Sequence, residues 1–163
     1  MAGEHNFHAK EGTEQLRNVT RTVKHELYDT LTVDYDLALL KLDRPLHIDE
    51  YVSPICLPAA TDQMATKENG TILGWGKKKN HKRTGTKVLQ VARVPIADTE
   101  DCKQVYQSYK ITKNMVCAGF KEGGTDSCAG DSGGPLMFRR KEAPQQSTGN
   151  ISRNKWYLYG ITR

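Results

Sequence analysis

Long apolar runs are missing from this 163-residue sequence. Stretches such as Leu37-Ala38-Leu39-Leu40 fall far short of the roughly 20 residues a spanning helix needs, which excludes a helical membrane protein. No segment repeats at a period of about 20 to 50 residues, so a solenoid is excluded too. The four cysteines, Cys56, Cys102, Cys117 and Cys128, form no C-x-x-C pair and no Cys/His cluster at zinc spacing, which argues against a structural zinc site. Met1-Ala2-Gly3-Glu4-His5-Asn6 has neither the basic start nor the apolar stretch of a signal peptide. Charge of one sign is only mildly in excess. The formal net charge of +5 permits an acidic partner without naming one.

What the chain does have is regular punctuation. Val, Ile, Leu and aromatic residues recur along it, which argues against wholesale disorder. Short apolar or alternating runs at 37–42, 71–75, 88–96, 115–118, 135–138 and 156–161 read as strands, with Gly, Asn and Lys clusters between them. That is the pattern of an all-β sandwich or barrel. One short helix is predicted near 99–109. Asp98 is a suitable N-cap, and Glu100 and Asp101 put negative charge where the helix dipole favours it. Cys102, Val105, Tyr106 and Tyr109 make one apolar stripe that is expected to pack inward. A boundary is expected near 54–65, where Pro54 and Pro58 bracket Ile55-Cys56-Leu57 and a polar stretch follows. A second polar loop covers 141–155. Glycosylation acceptors at Asn18, Asn69 and Asn150, together with the cysteines, point to a secreted context. A chain of secreted character with no leader reads as part of something longer.

The strongest chemical signal is Gly123-Gly124-Thr125-Asp126-Ser127-Cys128-Ala129-Gly130-Asp131-Ser132-Gly133-Gly134-Pro135. Gly130 and Gly133 let the backbone bend tightly around Ser132 and keep bulk from its hydroxyl. Neighbouring backbone N–H groups can then converge on a developing oxyanion, as a nucleophile turn requires. A solvent-facing glycine loop is the plain alternative. A second cluster holds Glu4, Glu11 and Glu14 with Asn6 and Ala9. Three carboxylates and two backbone carbonyls suit Ca²⁺, a hard cation that takes oxygen ligands; a merely solvated acidic loop competes with that reading. The run Lys77, Lys78, Lys79, Lys82, Arg83 and Lys87 contains no acid. It reads either as a solvated loop or as a contact for a polyanion such as heparin. No aromatics interleave with these charges, so nucleic acid is not an expected partner.

These motifs resemble the trypsin-like (chymotrypsin-fold) serine endopeptidases. The resemblance rests on Asp34-Tyr35-Asp36-Leu37-Ala38-Leu39-Leu40, Pro54-Ile55-Cys56-Leu57-Pro58, Gly74-Trp75-Gly76, Asn114-Met115-Val116-Cys117-Ala118-Gly119 and the Ser132 run, and so covers nearly the whole chain. Gly3-Glu4-His5-Asn6, Thr13-Glu14-Gln15, Arg17-Asn18-Val19 and Cys117-Ala118-Gly119-Phe120-Lys121-Glu122-Gly123-Gly124 draw it toward the vitamin-K-dependent coagulation group. The resemblance implies Ser132 as nucleophile, with the N–H groups of Gly130 and Ser132 as oxyanion hole. It implies Asp36 as the buried carboxylate that orients a catalytic histidine. Asp126 becomes the buried base of the specificity pocket, which implies cleavage after Arg or Lys. Asp131 becomes the receiver of the new amino terminus when a zymogen is cut. The calcium loop is assigned to Glu4, Glu11, Glu14 and the carbonyls of Asn6 and Ala9. The same resemblance pairs Cys102 with Cys117, directs Cys56 to a light chain, sends Cys128 to a cysteine beyond Arg163, and makes 99–109 a surface for a cofactor protein.

The sequence also departs from the family. None of His5, His8, His25, His47 and His81 stands in the Ala-Ala-His-Cys setting of the catalytic base. His25, which precedes Asp36, reads as a surface residue. Losing the triad histidine costs roughly a millionfold in turnover in a related arrangement. The Ile-Val-Gly-Gly-like activation site and the final strand and helix have no counterpart either. The expectation is therefore an all-β, trypsin-like double barrel, incomplete at both ends, with a partial first barrel at 1–58 and a second at 59–163 that lacks its last strand. By resemblance its function is extracellular proteolysis of protein substrates after Arg or Lys in a coagulation-like cascade, with this chain itself inactive. The alternatives are a non-catalytic protease-like binding decoy, or an incomplete gene product without a function of its own.

Overall fold

The computed structural model describes residues 1–62, 65–78, 84–141 and 154–163. Its elements run in the order β1 (Val19–Lys24), β2 (Ala38–Leu42), β3 (Asn69–Gly74), β4 (Gln90–Pro95), α1 (Thr99–Val105), β5 (Pro135–Lys141) and β6 (Asn154–Ile161). The fold is all-β with one short helix. Strands β1 and β2 form one antiparallel sheet; the other is ordered β4-β3-β5-β6. Among the described residues neither sheet closes into a barrel.

Two compact units are present. The first comprises Met1–Pro54, Lys87–Leu89 and Ala97–Cys117; the second comprises Ile55–Thr86, Gln90–Ile96 and Ala118–Arg163. In the first unit β1 pairs with β2 from Val19↔Leu42 to Lys24↔Ala38, with a register shift between Val19 and Arg21. Every residue of these two strands except Leu42 is exposed. The N-terminal loop of this unit is tied to its 87–89 segment: Phe7 N–H donates to Lys87 O at 3.0 Å and Leu89 N–H to His5 O at 2.9 Å.

Helix α1 begins as its sequence predicts. The Asp98 side chain caps it, accepting from Glu100 N–H at 2.8 Å and Asp101 N–H at 3.3 Å. It is shorter than the 99–109 reading and its stripe does not pack inward. Only Cys102 is buried; Val105, Tyr106 and Tyr109 are 69 %, 49 % and 68 % exposed. Tyr106 leaves helical geometry, and its N–H closes the last turn on Cys102 O. With no covering face, residues 106–109 lack the packing that sustains most helices in water.

The second unit has the larger core. Ile72, Val94, Ile96, Leu136 and Phe138 are buried together, with Ala92, Ala118 and Tyr159 against them. Strand β3 is central, pairing with β4 from Asn69↔Pro95 to Gly74↔Gln90 and with β5 at Thr71↔Met137 and Ile72↔Leu136. Phe138 meets the Tyr159 ring edge-on at 5.2 Å between centroids, a favoured aromatic geometry. The Arg140 guanidinium lies 5.6 Å from each of these rings and pairs with Glu68.

Two departures from the predicted strands stand out. The 115–118 run forms no strand; Ala118 makes only an isolated bridge with Ile96. It is too short to ladder between the turn at Thr112–Met115 and Gly119. Strand β1 was not among the runs read as strands, because Val19-Thr20-Arg21-Thr22-Val23-Lys24 carries as much polar as apolar character.

Candidate active site

The serine turn lies in the second unit, just before β5. Gly130 (φ 102°) and Gly133 (φ 86°) flank Asp131-Ser132 in the left-handed region, which a side chain would strain. The turn is closed by Gly134 N–H to Asp131 O at 2.9 Å and Gly133 N–H to Thr162 O at 2.8 Å, and Thr162 Oγ1 donates to Asp131 O at 3.0 Å. Asp131 N–H donates to Cys128 O at 2.9 Å. The N–H groups of Gly130 and Ser132 are different. Among the described residues they donate to no acceptor, and both residues are exposed. The Ser132 hydroxyl likewise has no hydrogen-bond partner among the described residues. The turn therefore commits the backbone donors around the serine and leaves two free.

The side chain of Asp131 points away from this opening. Its Oδ1 accepts from Gly76 N–H at 2.7 Å and its Oδ2 from Cys128 N–H at 3.0 Å. Gly76 is buried, and a Cβ there would overlap the carboxylate. This is why Gly74-Trp75-Gly76 needs glycine beside the serine turn, a role the sequence reading did not assign. Asp126 is exposed rather than buried, and its Oδ1 accepts from Ser127 N–H at 2.7 Å. The adjoining Gly123 (φ 74°) and Gly124 (φ 103°) bend the loop outward with open space around them.

In the first unit, Asp36 is also exposed rather than buried. Leu37 alone separates it from β2, all of whose residues but Leu42 are exposed. Its neighbours are tightly held. Asp34 accepts from Thr112 Oγ1 at 2.8 Å, from Asn114 Nδ2 at 3.0 and 3.1 Å, and from Tyr35 N–H at 2.9 Å. Burial pushes the Asp34 carboxyl up, but the Asn114, Thr112 and Tyr35 donors outweigh it and hold it below the usual carboxylate range. His25 is half-buried, not a surface residue: its ring stacks on Tyr35 at 4.6 Å and its Nδ1 accepts from Leu27 N–H at 3.1 Å.

The acidic loop does gather its carboxylates. Oxygens of Glu4, Glu11 and Glu14 lie within 4.8 Å of one another. Glu14 accepts from Glu11 N–H at 2.6 Å and Gly12 N–H at 2.8 Å. The Glu11 N–H foremost, with that of Gly12, holds the Glu14 carboxyl below its usual value. The Oε1 of Glu4 is buried with no hydrogen-bond partner among the described residues. Asn6 O accepts from Ala9 N–H at 2.8 Å, which leaves a carbonyl a second lone pair. An oxygen-seeking cation fits this donor set.

A disulfide joins Cys102 and Cys117, with Cα atoms 6.3 Å apart. Cys56 is half-buried and lies along β6, its N–H on Trp156 O at 3.1 Å and its O on Leu158 N–H at 2.9 Å. Asn18 is exposed, and its Nδ2 donates to Asp43 Oδ2 at 3.2 Å; Asn69 is exposed at the start of β3. Lys77 is half-buried and Lys78 exposed. Lys79, Lys82, Arg83 and Asn150 lie outside the described residues. Among the described residues no helix is long and apolar enough to cross a membrane.

A glycine-framed serine with two open backbone donors, on an antiparallel β fold, fits the trypsin class of fold. The trypsin family model matches residues 1–162, and the chain belongs to that family. Coagulation factor IX of Cavia porcellus is 45 % identical over 139 residues, which are 83 % of this chain and 48 % of that protein. The chain thus spans about half the length of the curated relative it matches.

Proposed function

We propose that this chain carries the serine and aspartate portions of an endopeptidase that cuts protein substrates after Arg or Lys in a coagulation-like cascade, and that by itself it does not turn over. The observation that carries the reading is the pair of uncommitted N–H groups at Gly130 and Ser132 beside an exposed hydroxyl. In acyl transfer the Ser132 oxygen attacks the scissile carbonyl, and those two donors stabilise the charge that develops on the carbonyl oxygen. Asp36 is the carboxylate that orients an imidazole and stabilises its charged form. Asp126 is the cation receiver that selects Arg or Lys, and Asp131 is the partner of an activation amino terminus. None of His5, His8, His25, His47 and His81 stands in the Ala-Ala-His-Cys setting of the catalytic base, so the hydroxyl keeps its proton and the attack stalls. The similarity to coagulation factor IX supports an extracellular setting, and with it glycans on Asn18 and Asn69 and a light chain on Cys56. It also supports a cofactor-protein surface at α1, while the acid-free basic run that includes Lys77 and Lys78 supports a polyanion contact. The two barrels of this reading divide near residue 58.

The same reading places calcium in the N-terminal loop, held by Glu4, Glu11, Glu14 and the carbonyls of Asn6 and Ala9. Bound there, calcium supplies a purely structural tie among carboxylates that otherwise repel. Glu14 is preset by its two backbone donors, and Glu4 gains a partner for its buried oxygen. Calorimetric titration with CaCl₂ tests this part: one site per chain is expected, lost in Glu4→Gln/Glu14→Gln. Absence of heat from the folded chain contradicts it.

A further inference from the structure

The segment that delivers Asp36 has an unusual backbone. Val33 (φ 55°) and Tyr35 (φ 53°), a β-branched and an aromatic residue, both sit in the left-handed region, where such side chains are outliers. Leu37 N–H donates to Tyr35 O at 2.7 Å, so Asp36 is the middle residue of a three-residue turn. Backbone of this kind persists only where its surroundings over-determine it. Here the surroundings are specific. Asp34, between the two left-handed residues, takes donors from Thr112 and Asn114 on one side and from Tyr35 N–H on the other. Its own carbonyl accepts from Asp29 N–H at 3.1 Å. Thr112 and Asn114 belong to the loop closed by the Cys102–Cys117 disulfide, so the donors come from a cross-linked segment of the same unit. On the other side of the turn, His25 stacks on Tyr35 and donates its N–H to Leu37 O at 2.9 Å.

We propose that Asp34 is a positioning residue for Asp36: clamped by Thr112 and Asn114, it fixes the left-handed turn from which the Asp36 carboxylate projects. This rests on the reading of Asp36 as the carboxylate that orients an imidazole, and it names what holds that group in place. Asp34 itself touches no reacting atom. Its ionised form is the working one, because both carboxylate oxygens are needed to receive the Asn114 amide while Oδ1 also receives Thr112.

The test removes the donors and leaves residues 25–37 intact. In Thr112→Val/Asn114→Ala, NMR of the full chain reads the amide–Hα couplings of Val33 and Tyr35 and the ¹³Cγ chemical shift of Asp36 at one fixed neutral pH. Loss of the positive-φ signature at Tyr35 together with a displaced Asp36 ¹³Cγ resonance is expected. Thr112→Ser, which keeps the hydroxyl, should retain the parent values for both. An Asp36 resonance and Tyr35 coupling unchanged in the folded double variant overturn the proposal, even if its melting temperature falls, because the clamp would then be a mere tether. If the double variant does not fold, Asp34→Asn is read in the same way and with the same two outcomes. These signals report on 33–36 alone. They stand whether or not Asp36 serves an imidazole.

Discussion

Asp131→Ala is the most informative single perturbation, because it strips the serine turn of its anchor without touching Ser132. In the parent the carboxylate receives Gly76 N–H at 2.7 Å and Cys128 N–H at 3.0 Å. Hydrogen bonds to a charged group contribute about 1.5–3 kcal/mol each, and a donor left buried without a partner costs about 1–3 kcal/mol. Gly76 is buried and pays this in full, whereas Cys128 is half-buried and is partly rehydrated. The expected loss is about 3 kcal/mol in all. For a chain of this size that lowers the melting temperature by roughly 6–12 °C. Asp131→Asn keeps one acceptor and turns an amide N–H against the other donor, so it should fall between the two. Gly76→Ala should resemble Asp131→Ala, since its methyl group takes the space of the carboxylate. Circular dichroism melts give the stability, and hydrogen exchange at the Gly76 amide gives the local effect. An Asp131→Ala melt within about 0.5 kcal/mol of the parent, the range of an ordinary surface substitution, refutes the anchoring argument, as does an unaccelerated Gly76 amide.

Other outcomes follow from the same structure. Phe138, 1 % exposed and set against Tyr159, should cost about 3–5 kcal/mol on truncation to Ala, read by urea unfolding. Acid should destabilise the chain. Asp29, held low chiefly by Leu31 N–H, and Glu14, held low by Glu11 N–H, join Asp34 in having folded-state pKa values below their ordinary ones. Groups of this sign add stability that is complete above the unfolded-state pKa near ~4 and is lost as pH falls through the lower folded value. The melting temperature should therefore decline on acidification below about pH 5, and Thr112→Val/Asn114→Ala should flatten the share due to Asp34.

The serine turn was legible in the sequence because its glycines are local: Gly130 and Gly133 have the positive φ that a bend around Ser132 calls for. The Asp98 cap of α1 was legible for the same reason. The far end of the helix was not. Whether Val105, Tyr106 and Tyr109 form a buried face depends on what lies across from them, and periodicity cannot see that. Gly76 shows a related limit. Its need to be glycine comes from a carboxylate 55 residues later in the chain, so Gly74-Trp75-Gly76 could be noticed as a motif but not explained. Asp34 was read only as part of the string before Asp36, since its partners Thr112 and Asn114 are 78 and 80 residues away. Exposure of Asp36 and Asp126 also lay beyond the sequence, for burial belongs to neighbours rather than to the residue.

The central claim is a nucleophile turn formed without its base. Treatment of the folded, monodisperse chain with a fluorophosphonate, followed by peptide mass spectrometry, reads it directly. The account predicts Ser132 unmodified after exposures that label trypsin-type enzymes completely, in keeping with a loss of roughly a millionfold when the histidine is absent. Rapid stoichiometric modification of Ser132, abolished in Ser132→Ala, contradicts it.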